Sequence, residues 1–85
     1  MKRRTWLDMS PVGARETIVR AGGGVCWPGR AWPNTDGMVQ VMGGETPAGC
    51  FGAWVPCWDD YSPLVAEACE VLMEHFLTMP YSGRP

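Results

Sequence analysis

The clearest periodic pattern in the chain runs from Ser62 to Pro80. At 100° per residue, Val65, Ala68, Cys69, Leu72 and Phe76 fall on one face, and Glu67, Glu70, Glu74 and Thr78 fall on the opposite one. Ser62 is a natural N-cap, Pro63 suits the first helical position, and Asp59 and Asp60 lie just upstream, where negative charge favours the positive end of a helix dipole. Pro80 closes the segment, because the residue before a proline avoids helical dihedrals. These signals predict a long amphipathic helix with an apolar inner face and an acidic outer stripe.

The same grammar recurs earlier. Ser10-Pro11 opens a second helical pattern, with Ala14, Ile18 and Ala21 at helical spacing, and Gly22-Gly23-Gly24 ends it. This predicts a shorter helix over Pro11–Ala21. Three segments then read as strands: Val25–Trp27, Met38–Met42 and Cys50–Val55. Asn34-Thr35-Asp36-Gly37 is a turn by composition, and Gly43–Gly49 reads as a flexible loop. Pro28 and Pro33 cannot donate to a ladder, so Trp27–Pro33 belongs to an edge or a loop. Residues 1–9 read as a loose basic arm leading into a candidate N-terminal strand around Thr5–Met9, and residues 81–85 as a loose tail.

Strands joined by short turns pair antiparallel, and the sheet they form needs a partner for its apolar face. The expected fold is therefore α+β. It is a small two-layer domain, with a three-stranded antiparallel sheet packed against the long C-terminal helix and a shorter N-terminal helix beside it. The 85 residues read as a single domain, enough for one modest core.

Charge adds one feature. Residues 1–30 carry six basic side chains and two acids, whereas residues 31–85 carry one basic side chain and seven acids. The two halves either attract each other within the fold or make surfaces of opposite sign. The basic start, Met1–Leu7, is not followed by an apolar run, and no stretch approaches membrane-spanning length. The expectation is a cytoplasmic protein (host-cell cytoplasm for a viral one) with no membrane association. Its four cysteines would be thiols in that compartment.

Candidate chemistry is sparse. The cysteines and His75 are too widely spaced for a zinc knuckle, whose ligands come two to four residues apart. Gly22–Gly24 follows a helix instead of opening one, and neither a P-loop nor a dinucleotide fingerprint is present. No Ser/His/Asp or Cys/His set can be assembled. The chain is read as non-enzymatic, with no cofactor and no metal. Lys2, Arg3, Arg4 and Trp6 combine charge with an aromatic ring, but the acidic balance makes direct nucleic-acid binding a poor fit.

Two features point to protein binding. The stripe Glu67, Glu70 and Glu74 has no Lys or Arg at helical spacing, so a basic partner surface would relieve its self-repulsion. Trp27, Arg30 and Trp32 lie on a stiff, proline-bearing stretch, and Trp and Arg dominate binding hot spots. A small acidic chain without catalytic motifs resembles the anti-defence inhibitors of phages and mobile elements, which act by binding a host machine. The expected function is a protein-binding module of that kind, occupying a basic surface on a host protein or ribonucleoprotein complex. The competing expectation is a nucleotide-like small-ligand domain with a Trp-lined pocket, which a homodimer interface could also provide.

Overall fold

A computed structural model describes residues 9–79. Residues 81–85, most of the expected basic arm and most of the candidate N-terminal strand lie outside that range. Met9 itself is not in a strand, and its side chain packs against the core.

Helix α1 spans Pro11–Arg20 and helix α2 spans Pro63–Thr78. Both begin as their sequences dictate. The Ser10 hydroxyl accepts from the Gly13 amide at 3.0 Å and the Ser62 hydroxyl accepts from the Val65 amide at 3.1 Å, each with proline in the first turn. Helix α1 ends as the Gly23 amide returns to the Ile18 carbonyl at 3.0 Å, with Gly22 at a φ of 91°. Helix α2 ends at Met79, which is extended, as the residue before a proline must be.

The sheet contains β1 (Gly24–Cys26), β2 (Val39–Thr46) and β3 (Gly49–Val55), antiparallel throughout, in the order β1-β3-β2. The last strand in the chain is thus the middle one. The first two never meet, so residues 27–38 must cross from one edge of the sheet to the other. Strand β2 also runs further than its hydrophobic pattern indicated. The segment Gly43–Gly49, expected to be a flexible loop, is instead the end of β2, a two-residue turn at Pro47-Ala48, and the start of β3. The reason is steric. A Cβ on Gly44 would come within 2.5 Å of the Phe51 ring, so the glycine lets that ring lie across the strand. The Thr46 hydroxyl, which accepts from the Ala48 amide and donates to the Gly49 carbonyl (both 3.0 Å), ties the turn.

Alternation along β3 separates the two faces of the sheet. Phe51, Ala53 and Val55 join Met42, Ala14 and Ile18 of α1, and Val65, Ala68, Cys69, Leu72 and Phe76 of α2 in one core. All five residues expected on the inner face of α2 are buried. The opposite face carries Gly52 and Trp54, and the crossing segment covers it. The Trp32 ring lies 5.9 Å from that of Trp54, over Gly52, where a Cβ would come within 2.5 Å of the indole.

Candidate functional site

Two grooves lie at opposite edges of the sheet. The first runs beside β1. It is lined by Val12 and Arg15 of α1, Val25 and Cys26 of β1, and Trp27, Arg30, Ala31 and Pro33 of the crossing segment, with a volume of about 550 Å³. The second runs between β2 and α2. It is lined by Val41, Met42, Tyr61, Ala66, Cys69, Met73, Glu70 and Glu74, with a volume of about 370 Å³.

The β1 groove has a braced floor. Trp27 is half-buried, with its ring edge-on to Phe76 at 4.9 Å and 77°. The Cys26 thiol is buried within hydrogen-bond reach of the carbonyls of Trp27 (3.6 Å), Arg30 (3.8 Å) and Ala31 (3.7 Å), which curls the segment around the end of β1. Burial pushes this thiol's pKa up, the neighbouring Cys50 adds to the rise, and the Arg30 guanidinium opposes it. The raised pKa favours the neutral thiol, the form that donates to these carbonyls.

The β2 groove is apolar with acidic edges. Glu70 and Glu74 are exposed, one helical turn apart, above Met73, Ala66 and Val41. Tyr61, which lines the groove, meets Trp58 edge-on with centroids 6.1 Å apart, and Trp58 is 65% exposed. Trp58 heads a single 3-10 turn, Trp58–Asp60, and its tight geometry is supported by the Cys57 thiol donating to Asp60 Oδ2 at 3.3 Å. Leu64, on the first turn of α2, is also exposed.

The proposed contact residues divide between these places. Glu67 is not part of an outward stripe. It is buried, at 7% exposure, and it is not without a partner. The helical period gives the direction of a side chain from its own helix axis and does not register what else packs along the helix. Glu70 and Glu74 do face outward. Trp27 and Arg30 share the β1 groove, whereas Trp32 lies across the other face of the sheet, against Trp54. His75 sits on the helix flank, 5.7 Å from the Phe76 ring. Among the described residues, no three His, Cys, Asp or Glu side chains are grouped to hold a metal, and no helix is long and apolar enough to cross a membrane.

Sequence reasoning missed Trp58, Tyr61 and Arg15. Trp58 and Tyr61 fall between Pro56 and Pro63, outside both periodic segments, so neither period bears on their exposure. The signal that remained was negative: two aromatic residues with no element to bury them. No protein-family model, curated protein or solved structure matches this chain.

Proposed function

We propose that the chain is a protein-binding module that occupies a basic surface of another macromolecule through the β2 groove. This is the mode of action of small inhibitors from phages and mobile elements. The observation that carries the reading is the join between exposed aromatic side chains and an acidic apolar groove. Tyr61 lines a depression rimmed by Glu70 and Glu74, and exposed Trp58 packs against Tyr61. Trp and Tyr supply large contact area at little entropic cost and dominate binding hot spots, while rim charges select the sign of the partner and speed its approach. The partner segment presents a large apolar side chain to the groove and Lys or Arg to its rim. Buried Glu67 takes no direct part.

Selection of a random peptide library on the full chain tests this reading without knowledge of the source. Enriched peptides should pair Lys or Arg with a bulky apolar residue. Trp58→Ala should weaken them by roughly 30-fold, the size of a hot-spot loss of about 2 kcal/mol. Glu74→Lys should weaken them further at low salt than at high salt. Enrichment of acidic peptides, or retention of full affinity by both variants, overturns the proposal.

A further inference from the structure

The β1 groove carries a separate inference, independent of the protein-binding reading. Its two charged lining residues are both arginines, Arg15 and Arg30, and both are exposed. Among the described residues, no carboxylate lines it. The described ion pair on α1 joins Arg20 to Glu16 at 3.9 Å, so among the described residues Arg15 has no acidic partner. Much of the rest of the wall is apolar, with Val12, Val25, Ala31, Pro33 and the indole of Trp27 beside the Cys26 thiol.

The groove is also held in shape. The Cys26 thiol lies within hydrogen-bond reach of the Arg30 carbonyl. Pro28 and Pro33 stiffen the crossing segment on both sides, and Phe76 braces the Trp27 ring from beneath. Gly29, at a φ of 87°, seats the segment against the β2–β3 turn, where a Cβ on Gly49 would come within 2.8 Å of the Gly29 amide nitrogen. A groove formed in advance of binding loses little entropy when it is filled.

We propose that this groove binds a small molecule that joins a phosphate to a flat ring, the mononucleotide class. Arg15 and Arg30 take the phosphate, since a guanidinium meets phosphate oxygens with two parallel donors and is weakly hydrated. Trp27 and Pro33 take the ring. The volume of about 550 Å³ suits a ligand of that size. A bare phosphate would leave the apolar wall uncovered, and a nucleic-acid strand would carry further phosphates that meet no further arginine among the described lining residues.

The test is an amide and indole NMR titration of the full chain with adenosine 5′-monophosphate, with uridine 5′-monophosphate, adenosine and inorganic phosphate in parallel. The Trp27 indole signal is assigned by its loss in Trp27→Phe. At least one of the two nucleotides should shift that signal and the amides of residues 29–31 to saturation below ~10 mM, in the millimolar-or-tighter range of a small charged ligand. Adenosine and phosphate should each bind at least about tenfold more weakly than that nucleotide, as should the nucleotide to the Arg15→Gln/Arg30→Gln double variant, because each comparison removes charge-assisted hydrogen bonds or ring contact. Both arginines are exposed, so unchanged signals elsewhere report that the variant is folded. The proposal is overturned if neither nucleotide shifts the indole. It is equally overturned if adenosine or phosphate binds as tightly as the nucleotide, if the double variant keeps full affinity, or if only an oligonucleotide binds.

Discussion

Phe76 links the core to the β1 groove, and truncating it measures that link. Its ring is 1% exposed, 4.8 Å from the Phe51 ring at 51° and 4.9 Å from the Trp27 ring at 77°. Phe76→Leu keeps an apolar side chain and removes both aromatic pairs. At about 0.5–1.5 kcal/mol for each pair, the loss is ~1–3 kcal/mol before any cavity term. In a domain of this length each kcal/mol lowers Tm by about 4–8 °C, so the melting point should fall by roughly 5–20 °C. A double-mutant cycle with Trp27→Leu isolates the contact that shapes the groove, and its coupling should be about 0.5–1.5 kcal/mol. Urea unfolding followed by far-UV circular dichroism is the suitable assay, since it does not depend on the indole being removed. A coupling below ~0.3 kcal/mol, within ordinary additivity, would mean that Trp27 is not seated on Phe76, and the braced wall of the groove would be refuted with it.

Two further outcomes follow from the packing. Gly23→Ala should destabilise the fold by about 3 kcal/mol or more, because the new Cβ would overlap the backbone carbonyl of Trp54, whereas Gly37→Ala, which has open space but a φ of 78°, should cost about 1–2 kcal/mol; thermal melts of the two variants should separate clearly. Burial raises the Cys69 thiol from 9.0 to about 11. The folded state then holds its proton more tightly than the unfolded state, so the stability this thiol contributes is complete below pH 9 and is lost as pH rises towards about 11. The ceiling on that loss is ~3 kcal/mol, and urea titrations at several pH values should show a slope in this window that is smaller in Cys69→Ala.

The sequence by itself determined what local chemistry can encode. Ser10-Pro11 and Ser62-Pro63 start helices because a hydroxyl and a proline satisfy free amides within one turn, wherever the helix later packs. The period of Val65, Ala68, Cys69, Leu72 and Phe76 fixed the inner face of α2 for the same reason, and β-branched and aromatic residues marked the places of the strands. Tertiary structure decided everything that depends on a neighbour distant in the chain. Gly43 and Gly44 carry no side chain to signal a strand, yet both pair with β3, Gly44 leaving room for the Phe51 ring and Gly43 for the Gln40 side chain. The order β1-β3-β2 sends residues 27–38 across the sheet, which parts Trp32 from Trp27 and Arg30 and brings Arg15 beside them. Glu67 has the same helical phase as Glu74, yet one is buried and the other exposed. Periodicity gives the direction of a side chain from its own helix axis, and only the packed chain supplies what lies in that direction.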